Sequence, residues 1–204
     1  MTRRDDSKAE TRKLILNAAR EMFWEKGADK CTIRDIAGEA GVSPASIIIH
    51  FKNKTALLEA ALYEDLERNL AKALATLPAD QGLHAVGMHM LSGMLSFYDQ
   101  NRELYRILIR DTLFESVRDS PCIAKLDKEY FTFLIGLIDR EKEKGAVRED
   151  VDSHLAAHSL FYLYIGVLRD FLRDPAVSVP EALERLSLIF KQFLNGILTP
   201  GEKL

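Results

Sequence analysis

The sequence predicts an all-α protein with a small N-terminal three-helix domain and a larger C-terminal helical bundle. Apolar residues recur at three- and four-residue spacing along nearly all of the 204 residues, which is the period of a helix that buries one face. No segment alternates like a half-buried strand, and Gly, Pro, Ser and Asn punctuate the periodic segments. Since no flexible linker is evident, we expect the boundary to fall on a long central helix, giving domains at 1–53 and 54–204.

Composition is that of an ordinary soluble globular protein, with 47% hydrophobic and 29% charged residues and a net charge of −3. The polar N-terminus is not of signal-peptide type, and no apolar run is expected to reach the length of a membrane span. We therefore expect a cytoplasmic protein. Residues 1–60 are slightly basic and the remainder is acidic, which is suggestive of nucleic-acid binding by the front of the chain.

The first helices are defined by their ends. The segment at 7–26 is amphipathic and stops at Gly27. Thr32 is a good N-cap for the next helix, and Asp35 completes a pattern like a capping box. Gly41 supplies the left-handed residue of a sharp turn. The dipeptide Ser43-Pro44 then begins another helix, with serine as N-cap and proline at the first helical position.

This third helix carries the run "SIIIHF", which a periodicity of 100° per residue divides between two faces. Ile47 and Phe51 fall together and are expected to pack into the core. Ala45 and Ile49 point the opposite way, flanked by Ser46, Ile48 and His50. Two of the three isoleucines are therefore not explained by the core of this small domain.

The remaining segments are helical as well. Asn53 is the expected N-cap of a long helix that ends before Pro78. Five further helices are predicted at approximately 81–99, 102–111, 121–144, 152–173 and 180–198.

Two short helices joined by "AGVS" make a helix-turn-helix. The stretch "TIRDIAGEAGVSPASIIIHFKNKTALL", residues 32–58, resembles the DNA-binding signature of the TetR family of transcriptional regulators. The resemblance implies a recognition helix at 44–50 in the major groove of double-stranded DNA. It also implies DNA contacts by Thr32, Arg34, Ser43, Pro44, Ala45, Ser46, Ile48, Ile49, His50, Lys52 and Lys54.

One position departs from the family pattern, which usually has tyrosine where this chain has Ile48. A tyrosine there donates a hydrogen bond to phosphate, and isoleucine cannot. One hypothesis is that Ile48 and Ile49 contact thymine methyls or sugar carbons, so that A·T pairs lie under this helix. The alternative is that both are tolerated surface residues, or that DNA binding is weak.

The last two helices are apolar on nearly every side, and such helices must be covered on every side. A second copy of the chain is the simplest cover, and a twofold dimer suits two DNA half-sites. The alternative is a three-layer monomer. The family resemblance likewise implies dimerisation through the last two helices. The candidate interface residues are Leu160, Leu163, Val167, Phe171, Leu186, Phe190, Phe193 and Ile197.

Between the helix-turn-helix and this interface lie helices rich in Met, Phe and Tyr, whose adaptable side chains suit an apolar pocket. Most of them are expected to be ordinary core. The candidate lining residues for a small-molecule effector are Met88, Met94, Phe114, Phe133, Phe161 and Tyr164.

No motif for catalysis is present: there is no glycine-rich phosphate loop, nucleophile elbow or metalloprotease pattern. His154 and His158 share a helix face without a third ligand, so no metal and no cofactor are expected. The sequence thus favours a homodimeric, ligand-responsive regulator, in the simplest case a repressor, that binds a pseudo-palindromic operator and has no membrane partner. A helical ligand-binding or scaffold dimer with a weakened DNA-binding motif is the first alternative, and an enzyme on the same scaffold is the second.

Overall fold

The computed structural model describes residues 3–78, 81–114 and 120–197. Within these ranges the chain forms nine α-helices and a short 3₁₀ turn at Ala28–Lys30, without a β-strand. The all-α prediction is therefore confirmed. The helices are α1 Arg3–Lys26, α2 Ile33–Glu39, α3 Pro44–Phe51, α4 Lys54–Ala75, α5 Leu83–Asp99, α6 Arg102–Thr112, α7 Pro121–Glu143, α8 Ser153–Arg173 and α9 Val179–Leu194.

The chain divides into two compact units, each made of two segments. The first unit contains residues 1–67 and 101–124, and the second contains 68–100 and 125–204. The divisions fall within α4, between α5 and α6, and within α7. The expected functional boundary after residue 53 stays a prediction.

In the first unit, α1 packs on α2 and α2 packs on α3. Ile15, Ile36 and Ile47 are fully buried, one from each helix. Burying these side chains removes apolar surface from water and fixes the three helices against one another, at about 1.5–3 kcal/mol for each side chain. The predicted core face of α3 is confirmed, since Phe51 is buried beside Ile47.

The caps of α2 and α3 form as predicted. The Thr32 backbone N–H donates to Asp35 Oδ2 at 2.9 Å, and the Asp35 N–H donates to Thr32 Oγ1 at 3.1 Å. The Ser46 N–H donates to Ser43 Oγ at 3.1 Å. Between the two helices Gly41 has a φ of +67°, a conformation that glycine adopts without steric cost. This turn sets the direction in which α3 leaves α2.

Helix α6 lies in the first unit, although the predicted boundary assigned its residues to the second domain. The Asn101 side-chain amide donates to the Trp24 carbonyl at 3.2 Å. The Arg110 guanidinium pairs with Asp29, with 3.2 Å between Nη2 and Oδ1. Both contacts join residues about eighty positions apart, a separation at which sequence periodicity carries no information.

In the second unit, α9 packs against both α5 and α8. Gly87 of α5 faces the Phe190 ring of α9, and a Cβ there would lie 3.5 Å from that ring, an ordinary van der Waals distance that an alanine could occupy. Helix α9 ends at Leu194, four residues before the predicted end. Its Ser178 cap and Glu181 form a second capping box.

Helix α8 is long and apolar enough to cross a membrane by length and composition alone. The expectation that no run has this character was therefore wrong. The segment is 44% buried within the chain, and it packs on α9. A core helix of a soluble protein meets the same criterion, so the observation is weak evidence for a membrane span.

Candidate nucleic-acid interface

The outer face of α3 presents apolar side chains to solvent. Ile47 is 0% exposed, whereas Ile48 is 47% and Ile49 is 77% exposed. A solvent-exposed isoleucine gains nothing from the hydrophobic effect until a partner covers it. The prediction from helical periodicity, that Ile47 is buried while Ile48 and Ile49 are not, is thus confirmed. The two exposed isoleucines are available to contact another molecule.

All eleven residues predicted to contact DNA are accessible. Ser46, His50 and Lys54 are half-buried and the other eight are exposed. They lie at the N-terminus of α2, along α3 and at the start of α4. Their roles in DNA contact remain predictions.

The two capping hydroxyls differ in what they can offer a phosphate. Thr32 Oγ1 donates to Asp35 Oδ2 at 2.7 Å while accepting the Asp35 N–H, so its hydrogen is already used. The hydrogen bonds that the Thr32 hydroxyl and then the Thr32 N–H donate to the Asp35 carboxyl hold its pKa below the usual value. Ser43 Oγ accepts the Ser46 N–H, which leaves its own hydrogen for an external acceptor. Ser43 is therefore the better phosphate donor of the two.

Sequence reasoning missed two cations of α1 that lie beside the C-terminal end of α3. The Arg12 guanidinium stands over the Phe51 ring, 5.0 Å from its centroid. Burial, and then the charges of Lys8 and Arg12, hold the pKa of His50 below its usual value. Lys8 and Arg12 are four residues apart, and that spacing predicts a shared helix face. Lys8 and Arg12 thus bring positive charge to His50, and Lys52 and Lys54 follow it in the sequence, which suits an anionic backbone.

A second candidate site is an apolar cleft in the second unit. Its enclosed space is only about 20 Å³, and the wider indentation of about 420 Å³ includes open solvent. Its walls come from α5, α7, α8 and α9 and include Met90, Tyr130, Phe133, Leu160 and Phe190. Apart from the Tyr130 hydroxyl, side chains of this kind offer only apolar contact.

The residues predicted to line an effector pocket are scattered. Phe133 lines the cleft, and Met88, Met94 and Phe161 are half-buried elsewhere in the second unit. Tyr164 is buried. Phe114 belongs to the first unit and is 90% exposed. Phe114 follows the end of α6 and is not among the residues that line the cleft, so its role in effector binding stays a prediction.

Five of the eight predicted dimer residues lie in the core of their own chain. Leu160, Val167, Phe171, Leu186 and Phe190 are buried. Only Leu163, Phe193 and Ile197 keep part of their surface. Periodicity did not single out the exposed apolar residues of α8 and α9, which are Leu155, Tyr162 and Leu188.

Comparison with known proteins agrees with the geometry of the first unit. A profile of the bacterial regulatory proteins of the tetR family matches residues 15–61. The chain is 30% identical over 194 residues to the HTH-type transcriptional regulator UidR of Escherichia coli, covering 93% of each chain. It is 31% identical over 166 residues to the HTH-type transcriptional repressor Rv1474c of Mycobacterium tuberculosis, covering 80% of this chain and 83% of the relative. Among solved structures, the chain superposes on Thermus thermophilus FadR with a TM-score of 0.74 at 19% sequence identity. The match covers 95% of this chain and 98% of FadR, a TetR-family repressor whose structure was solved in complex with lauroyl-CoA.

Proposed function

Because the chain belongs to the TetR family of bacterial regulatory proteins, we propose that it is a cytoplasmic, ligand-responsive repressor that binds a pseudo-palindromic operator as a homodimer. The observation that carries this proposal is the exposed face of α3. Two isoleucines there lie in solvent, and the charges of Lys8 and Arg12 of α1 act on His50 of the same helix. A short helix with exposed apolar side chains and neighbouring positive charge matches a major groove lined by phosphates.

The N-terminus of α3 is built to approach the DNA backbone. Since Pro44 has no N–H and the Ser46 N–H donates to Ser43 Oγ, the Ala45 N–H is the group of this first turn that a phosphate could accept from, at the end where the helix dipole favours an anion. Ala45 adds little bulk, so the backbone can come close to a base edge. Contacts of this kind position the helix, and the side chains at Ser46 and Ile49 then face the bases.

A dimer is supported by the apolar surface of α8 and α9. Leu155, Tyr162 and Leu188 are each more than half exposed, and a second copy would cover them. This surface would also include the half-buried Leu163, Phe193 and Ile197. The other predicted interface residues are buried in the core of the chain and would support the surface from inside. Twofold symmetry would then bring two α3 helices to two half-sites.

The apolar cleft of the second unit supports binding of a small apolar or amphipathic effector. In this proposal the effector binds more tightly to a dimer whose α3 helices no longer match the operator. Its differential affinity shifts the population away from the DNA-bound form.

The decisive experiment is the selection of bound sites from a random DNA pool, followed by affinity measurement against salt. A palindromic consensus and a steep loss of affinity with salt are expected, because phosphate contacts release counterions. No enrichment with the wild-type chain or with Ile48→Tyr, with or without candidate effectors, would refute DNA binding. The alternative of a ligand-binding or scaffold dimer would then stand.

The cations of α1 supply a sharper test with a matched control. Arg12→Ala should lower the salt slope by about 2 for a dimer, since each lost phosphate contact removes about 0.9. Lys125→Ala removes an exposed cation of the second unit and should leave the slope unchanged. An equal change in both variants would mean that the slope reports net charge rather than contact.

A further inference from the structure

The junction between α3 and α4 contains a strained backbone conformation at Lys52. Helix α3 ends at Phe51 and α4 begins at Lys54, so only two residues connect them. Lys52 has a φ of 61° and a ψ of −55°, and it is the one non-glycine residue with positive φ among those that the structure describes. The Asn53 N–H donates to the Phe51 carbonyl at 2.6 Å. These angles and this bond define a γ-turn with positive φ, which is rare and strained for an L-amino acid.

The neighbours of Lys52 hold this conformation in place. Phe51 is buried in the core of the first unit. The Asn53 side-chain oxygen accepts the Ala56 N–H at 2.7 Å, and the Lys52 N–H donates to the Ile48 carbonyl at 2.9 Å. Both helix ends are therefore fixed, and the one residue between two anchored neighbours takes up the change of direction. Backbone strain persists only where the surrounding structure imposes it in this way.

The other turn of the helix-turn-helix meets a similar requirement without strain. Gly41 lies between α2 and α3 with a φ of +67°, and glycine has no Cβ that would clash in that conformation. At Lys52 a residue with a Cβ adopts a comparable φ, so the folded chain carries a cost that glycine would remove. Strained residues are found preferentially in ligand clamps and switch regions, where the strain is part of the mechanism.

We infer that Lys52 is a strained hinge whose relaxation lowers the free energy needed to swing α3 away from its observed position. When φ of Lys52 returns to negative values, α4 no longer leaves α3 in the observed direction, so the two helices change their relative orientation. Residues at the ends of helices that absorb such a change in φ and ψ are the hinges of conformational switches. That the swing of α3 controls operator release rests on the function proposed above.

Two substitutions at the hinge separate strain from charge. Lys52→Ala and Lys52→Gly both remove the lysine charge, and only glycine also removes the Cβ. The midpoint of thermal unfolding should be about 2–4 °C higher for the glycine variant than for the alanine variant. A Lys52→Gly variant that is no more stable than Lys52→Ala would overturn the inference.

A matched pair of substitutions shows the ordinary effect of glycine. Lys125 is exposed and lies within α7. Lys125→Gly should be less stable than Lys125→Ala, because glycine in a helix loses more conformational freedom on folding than alanine does. The order of stability at Lys52 should therefore be the reverse of that at Lys125, and the same order at both positions would overturn the inference.

Amide hydrogen exchange tests whether the strain is released when α3 moves alone. Amides of residues 48–52 report opening of α3, and those around the buried Ile15 of α1 report unfolding of the first unit. A hinge predicts about tenfold higher protection in Lys52→Gly than in Lys52→Ala for both groups, a factor within the range of backbone strain. Higher protection in α1 with no change in α3 would mean that strain is released only on full unfolding, and the hinge would be rejected.

Dissociation of the selected operator separates this outcome from that of the proposed function. If half of the strain is released as α3 leaves the groove, Lys52→Gly should dissociate at least about threefold more slowly than Lys52→Ala. Equal dissociation rates would reject the regulatory role, whereas the exchange result alone decides whether Lys52 is a hinge. A chain that binds no operator would overturn the proposed function, and the exchange measurement would still confirm or overturn the hinge.

Discussion

Truncating Ile49 and Ile47 separately should have opposite consequences, although the two residues are two positions apart on α3. Ile47 is 0% exposed, so Ile47→Ala leaves a cavity and should lower the free energy of unfolding by about 2–5 kcal/mol. In a chain of this length the midpoint of thermal unfolding should fall by roughly 5–15 °C. Ile49→Ala should change the free energy of unfolding by no more than about 0.5 kcal/mol.

Operator affinity should respond to Ile49 instead. The substitution removes three carbon groups from a side chain that is 77% exposed in the free chain. At about 0.8 kcal/mol for each group that the groove fully buries, and with about half of that surface covered, the loss is about 1 kcal/mol per half-site. Two half-sites give about 2 kcal/mol, or roughly a thirtyfold increase in Kd.

The assay is fluorescence anisotropy on the selected operator and on a copy with uracil in place of thymine under α3. Uracil lacks only the methyl group that the hypothesis requires. The wild-type chain should lose affinity for the uracil operator, and Ile49→Ala should bind both operators alike, which defines a double-mutant cycle. If the wild-type chain binds both equally, or if Ile49→Ala binds as tightly as wild type, apolar readout by Ile49 is refuted.

Glu59, His50 and Gly41 each have a testable effect. Glu59 is buried and accepts the Ile123 N–H of α7 at 2.7 Å, so Glu59→Ala should lower the free energy of unfolding by about 2–3 kcal/mol in denaturant titrations. Burial raises the pKa of Glu59, so wild-type stability should fall as pH rises from the usual carboxyl range to the raised pKa, and Glu59→Gln should remove that fall. Operator affinity should increase as pH falls between about 8 and 5.5. The pKa of His50 is lowered in the free chain, and a bound phosphate would favour the protonated form of its ring. His50→Gln should therefore make Kd nearly independent of pH. Gly41→Ala should lower the free energy of unfolding by about 1–2 kcal/mol in thermal melts, since its φ of +67° is left-handed.

Each of these has a contrary result. A Glu59→Gln variant that keeps the wild-type pH profile would assign the profile to another group. If operator affinity does not depend on pH, protonated His50 does not contact a phosphate. A Gly41→Ala variant as stable as wild type would mean that the turn relaxes to a right-handed conformation.

The helix-turn-helix could be predicted because its signals are local. The bonds between Thr32 and Asp35 and between Ser43 and Ser46 each span three residues. The Ala56 N–H likewise donates to Asn53 Oδ1, as the capping pattern predicts. Interactions this short are determined by neighbouring residue types, whatever the rest of the chain does.

Predictions that depend on a partner far away in the sequence agree less closely with the structure. Phe114 has the composition of a pocket residue, yet it is exposed at the end of α6. The apolar pattern also predicts Phe171 and Leu186 at a dimer surface. Both are buried within their own chain, and their role in a dimer stays a prediction. An apolar side chain on a helix that is apolar all round carries no mark of which neighbour covers it.

By itself the sequence determined the helical class, the caps and turn of the helix-turn-helix, and which isoleucines of α3 face outward, because all of these arise from contacts within a few residues. Only the tertiary structure decided that α1 brings Arg12 to the end of α3 and that Glu59 accepts from the start of α7. These arrangements depend on how helices pack at long sequence separation, where many side chains of similar size and polarity satisfy the same periodic pattern.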